Sequence, residues 1–129
     1  MATSPTPLAI LFAMLAGCQS SAGSDYTDVI SGDYRAFASC FSGQPITESV
    51  GQEDRQEPAA RRIVFNDPAR RHIVVEVYSS GEQALLYEVA FIGRSENTTE
   101  VIGKPSNLAA PYWWPDQVAP PIARCSRLI

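Results

Sequence analysis

Three cysteines, one histidine and a regular series of glutamates carry most of the chemical potential of this 129-residue chain. A hydroxyl or thiol nucleophile needs a base beside it, and His72 is the sole imidazole. Ser39, Ser42 and Ser79 are candidate nucleophiles, yet none lies in the Gly-x-Ser-x-Gly turn that presents a hydrolase serine. His72 follows Arg70 and Arg71 just after Asp67-Pro68, which reads as a solvated strand end. Glu76, Glu88 and Glu100 recur at twelve-residue intervals, one on each of three successive strand patterns. Alternation along a strand puts Ile73, Val75 and Val77 opposite Glu76, Leu85, Tyr87, Val89 and Phe91 opposite Glu88, and Val101 opposite Glu100. All three carboxylates are therefore expected on the sheet face turned away from the helices, as a solvated face or as a site for an oxygen-ligated cation or a basic partner. No Walker loop, dinucleotide-binding glycine fingerprint or metal-ligand cluster occurs, so no catalytic residue, metal or cofactor is assigned.

Cys18 has a different context. Residues 8–16, LAILFAMLA, are nine apolar residues, too few for the roughly 20 that a membrane-crossing helix needs. Their length suits the apolar core of a secretory signal, which is followed by small residues at a processing site. The run ends in Leu15-Ala16-Gly17-Cys18, which resembles the lipobox of bacterial lipoproteins. The resemblance covers about the first 20 residues. It implies a diacylglyceryl group on the Cys18 thiol, removal of residues 1–17 and acylation of the new N-terminus. One departure is the absence of Lys and Arg from residues 1–7.

Residues 18–32 begin Gln19-Ser20-Ser21-Ala22-Gly23-Ser24, the small, polar composition of a flexible tether. About 14 such residues have an r.m.s. reach of roughly 20 Å. In Gram-negative members of the lipoprotein class, Asp after the cysteine commonly signals inner-membrane retention. Gln19 stands there instead, so the resemblance implies the outer membrane, facing the periplasm. With Cys18 taken by lipid, Cys40 and Cys125 are the two thiols left in an oxidising compartment. A disulfide between them is expected; two independent buried thiols are the alternative.

Without residues 1–17 about 112 residues remain, enough for one domain over residues 33–129 after the tether. The net charge of −4 belongs wholly to residues 18–129, because residues 1–17 carry no charged side chain. An acidic domain argues against a general nucleic-acid binder, which would show a basic patch.

The pattern reads as α+β. Ser31-Gly32-Asp33 supplies cap residues for a short helix in which Tyr34, Phe37, Ala38 and Phe41 share a face, stopped by Gly43 and Pro45. Residues 50–58 read as a loop. Residues 61–66, 72–79, 84–92 and 98–103 then predict a four-stranded antiparallel meander, since each connection is too short for a parallel crossover. Residues 80–82 are its hairpin loop. Pro115 and Pro121 mark helical starts in a C-terminal segment that returns Cys125. Both helices are expected on one sheet face. The alternative is an all-β barrel or sandwich with residues 34–41 as an extra strand.

Two surfaces qualify for binding. Trp113 and Trp114, within Pro111-Tyr112-Trp113-Trp114-Pro115, form either an exposed aromatic platform or core. Arg70 and Arg71, with Arg61, Arg62 and His72, make a basic group able to meet lipid phosphates or an acidic partner. The resulting expectation is a non-enzymatic, membrane-tethered binding or assembly module with an envelope protein partner. A periplasmic inhibitor of lysozyme-type hydrolases is the alternative, by analogy of size, address and β content.

Overall fold

Alternation of buried and exposed residues organises the sheet. The computed structural model describes residues 24–44, 58–79 and 84–129. It contains five strands: β1 (Tyr26–Ser31), β2 (Pro58–Asp67), β3 (His72–Ser79), β4 (Leu85–Ser95) and β5 (Thr98–Pro105). Every second residue of β3 is buried, starting at Ile73, and Thr99, Val101 and Gly103 repeat the pattern on β5. These inward residues need a cover, and two helices on that one face provide it. The expectations for residues 1–23, the loop over 50–57 and the hairpin loop at 80–82 lie outside the described residues.

The helix Tyr34–Gly43 (α1) starts where Asp33 turns its carboxylate back onto the N–H groups of Arg35 and Ala36, each at 3.1 Å. Its apolar face, Tyr34, Phe37, Ala38 and Phe41, is almost fully excluded from water against Val75, Val77, Tyr87, Val89 and Phe91. Burying each large side chain contributes roughly 1.5–3 kcal/mol. Gly32 makes the turn from β1 into α1 at φ +139°, a conformation that L side chains rarely adopt, and a Cβ there would lie 2.5 Å from Phe37.

The sheet order is β1-β5-β4-β3-β2, with every neighbouring pair antiparallel. The fold is α+β, but the sheet has five strands rather than four. The added strand, β1, occupies residues assigned to the flexible tether, and it pairs with β5 over six consecutive positions. Its sequence alternates poorly because Asp28 stands among the inward positions, between Tyr26 and Ile30. The all-β alternative is not supported, since residues 34–41 lie in α1, where their spacing and the Asp33 cap favour a helix.

The C-terminal segment enters as one π-helical turn, Trp114–Val118, and continues as α2 (Ala119–Leu128), with Pro at its start. Val118, Ile122 and Cys125 reach the core from this segment. Cys125 is bonded to Cys40 of α1, with Cα atoms 5.9 Å apart. The bond spans 85 positions of sequence, and the chain-entropy model assigns such a loop about 4–5 kcal/mol of stabilisation. A Cys40→Ala/Cys125→Ala double variant is expected to lose most of that amount in urea denaturation. An unchanged midpoint and slope would contradict a stabilising role for the staple.

Candidate functional site

The residues singled out from sequence are dispersed by the fold. Ser39 and Ser42 lie on one turn of α1, where the Ser42 hydroxyl donates to the Ser39 carbonyl at 3.1 Å. Ser79 is buried at the far end of β3 from His72. His72 packs edge-on against Phe65, with ring centroids 5.3 Å apart. Among the described residues no group of three or more His, Cys, Asp or Glu side chains is placed to hold a metal ion.

The four candidates for a binding surface separate in the same way. Arg70 is exposed and pairs with Asp67 in the β2–β3 turn. Arg71 takes a positive φ of 54°, and its guanidinium donates to the carbonyls of Gly93 (3.3 Å) and Ser95 (2.7 Å) while covering the Tyr34 ring. It ties the turn to β4. Trp113 and Trp114 sit over Gly103, well away from Gly93 along the β4–β5 ladder.

The outer sheet face carries all three glutamates. Glu76 stands directly opposite Glu88, and Arg62 and Lys104 flank them in the same cross-strand row. The order of charges is plus, minus, minus, plus, so each glutamate has one cationic neighbour to offset the repulsion of the other. Tyr78 also donates its hydroxyl to Glu76. Glu100 lies two rows away, opposite Ile92, and is held by Arg94. Between these rows Phe65, Val74, Ala90 and Ile102 align across β2 to β5.

On the inner face two features were not read from sequence. The first surrounds the disulfide. Arg61 lies over the Phe41 ring at 4.7 Å and donates to the carbonyls of Phe41 and Gln44 at the end of α1, where a cation is favoured. Burial draws its pKa below the ordinary arginine range; Tyr87 opposes that shift and Arg124 adds to it. The Gln44 amide lies over both sulfurs, and Arg124 donates to its oxygen at 3.0 Å. This arrangement packs and caps the helix ends around the staple.

The second feature is a cleft between β1 and α2 with a volume of about 240 Å³. Ile30, Val101, Trp114 and Ile122 give it apolar walls, and the exposed residues Asp28 and Ser126 bring a carboxylate and a hydroxyl to it. Trp114 is fixed by stacking face-to-face on Tyr26, with centroids 5.2 Å apart and planes within 5°. Trp113, only 2 % exposed, is core: it packs on Tyr87 at 4.8 Å and edge-on to Trp114. Gly103 permits this close approach, because a Cβ there would lie 2.6–2.7 Å from both indoles. A glycine inside a strand pattern, ten residues before a tryptophan pair, was the available signal. An apolar hollow with a few polar groups is the usual form of a small binding site.

No family model matches the sequence, and no similar curated protein or solved structure was found.

Two measurements follow from this geometry. Gly103→Ala is expected to destabilise the domain by about 1–3 kcal/mol, the usual range for overpacking, and to shift the Trp fluorescence. Wild-type stability and spectrum in that variant would contradict the indole packing. Tyr78 has its pKa raised above the free-phenol value of about 10, chiefly by its hydrogen bond to Glu76. Because the folded-state pKa is the higher one, this contribution is fully present below pH about 10 and is lost as pH rises through the folded value. NMR titration of the Tyr78 ring should show the raised pKa, and Glu76→Gln should lower it. An unmoved pKa would contradict the assigned cause.

Proposed function

We propose that this chain is an envelope lipoprotein whose folded domain is a non-enzymatic binding or assembly module, tethered to a membrane through Cys18 and facing the periplasm. Leu15-Ala16-Gly17-Cys18 after an apolar run is the observation that carries the address. The Cys40–Cys125 disulfide supports it, because such bonds persist in oxidising compartments and are rare in the cytosol. No helix among the described residues is long and apolar enough to cross a membrane.

The binding role is supported by where the polar groups of the domain are used. Arg61, Arg71 and Gln44 are engaged in holding helix ends and turns. The cleft beside β1 instead brings a carboxylate and a hydroxyl to an open apolar wall. Gln19 at the position after the cysteine supports the outer membrane as the destination.

One acyl chain gives only marginal membrane residence, whereas two or more hold a protein stably. Cys18→Ser is therefore expected to shift the protein from the membrane to the soluble fraction, or to leave it unprocessed. It should also abolish incorporation of radiolabelled palmitate. Unchanged mass, labelling and partitioning in that variant would overturn the lipoprotein reading.

A further inference from the structure

We infer that β1 is a docking edge for an extended, lysine-bearing segment of a partner protein, with the lysine stem in the cleft beside α2 and its ammonium on Asp28. The inference rests on the reading of the domain as a binding module and is independent of the anchor. Two separate observations meet at this edge.

The first is that the two edges of the sheet are unequally protected. An edge strand offers unpaired N–H and C=O groups to any strand that approaches, and proteins block it with proline, basic side chains or bulges. The β2 edge has all three: it begins at Pro58, carries Arg61 and Arg62, and breaks register between Ile63 and Phe65. The β1 edge has none of them. Its six residues run in unbroken register with β5, and Val29 is 62 % exposed. Among the described residues its one protective device is Asp28, whose carboxylate folds back to accept the Val29 N–H through Oδ1 at 2.9 Å.

The second is the state of that carboxylate. Asp28 lines the cleft in register with Val101, on the inner face, and forms no ion pair with any described cation. One oxygen is engaged by Val29, which leaves Oδ2 for a single point charge. That suits an ammonium better than the two-pronged guanidinium of arginine. Ile30, Ile122 and the Trp114 ring line the path with apolar surface matched to a four-carbon stem.

The two observations are coupled. A strand added to β1 directs alternate side chains to the inner face, which is the side of the cleft. A lysine there draws Asp28 toward its ammonium and releases the Val29 N–H for a carbonyl of the incoming strand. An apolar strand leaves Asp28 in place, both blocking that amide and losing hydration. The same residue thus excludes indiscriminate strand addition and selects for a basic segment, in keeping with a domain of net charge −4.

The test titrates the ¹⁵N-labelled full-length Cys18→Ser chain with the peptide Ac-Ser-Val-Lys-Val-Ser-amide and with its norleucine counterpart, which keeps the stem and lacks the charge. The lysine peptide is expected to shift the amides of Thr27, Val29 and Ser31 and the Trp114 indole, and to bind at least fivefold more tightly than the norleucine peptide. Asp28→Asn should erase that difference. Ala123→Trp, at the exposed rim of the cleft, should weaken the lysine peptide without touching the core. Equal affinity for the two peptides, no shift in β1 at millimolar peptide, or undiminished binding to the Ala123→Trp protein would overturn the proposal. Cleft shifts produced by phosphatidylethanolamine vesicles and by neither peptide would overturn it in favour of a lipid amine. Failure of any of these leaves the fractionation of Cys18→Ser untouched, so the docking edge and the anchor stand or fall separately.

Discussion

Among the described residues the sheet is covered on one face, and a covalent tie joins the two helices that cover it. α1 packs directly on the central strands through four buried side chains, but α2 sits beyond it towards the β1 edge. α2 is held at both ends, with Ile122 reaching the core between them. Near its start, Trp113 and Trp114 lock onto Tyr26 and Gly103; near its end, Cys125 is bonded to Cys40. Between these fixed points the helix bridges from the sheet to α1 without settling fully onto β1. The cleft is the space left under that bridge. Its existence follows from the two anchor points, and so does its composition: apolar residues below, and the polar ends of an edge strand and a surface helix at the side.

The same one-sided cover explains how the polar groups are distributed. On the inner face a charge must be engaged, because desolvation penalises it. Arg61 meets this requirement with two helix-end carbonyls and an aromatic ring. On the outer face solvent screens the charges, so Glu76 and Glu88 can face each other between Arg62 and Lys104 at modest cost. Asp28 belongs to neither regime. It faces inward but sits at the edge, with a neighbouring backbone amide as its partner.

Where several local signals agreed, the fold was legible in the sequence. The spacing of Tyr34, Phe37, Ala38 and Phe41, an Asp before them and a Gly-x-Pro stop after them give α1 directly. Strict alternation in residues 72–79 placed β3 to the residue, and alternation along β4 and β5 put Glu88 and Glu100 on the same face as Glu76, but at the start of β4 the break in register opposite Tyr78 buries Leu86 where Leu85 was expected. β1 was not legible, for a physical reason. The same Asp28 that lines the cleft interrupts the apolar period from which a strand is recognised, and the polar run before it extends the appearance of a tether. Long-range relations were also hidden. Nothing local to Arg71 says that its guanidinium reaches carbonyls 22 and 24 positions away, or that Gly103 lies beneath two indoles.

Recognising β1 as part of the sheet changes the geometry of tethering. The chain from Cys18 to Tyr26 is about eight residues, with a fully extended limit near 27 Å and an r.m.s. reach of roughly 16 Å if flexible. The strand that starts at Tyr26 is the strand that borders the cleft. On the proposed anchoring, the start of β1 therefore lies within that reach of the membrane surface. The short linker and the position of the β1 edge thus impose one constraint, since the length of the first limits how far the second can stand from the anchor.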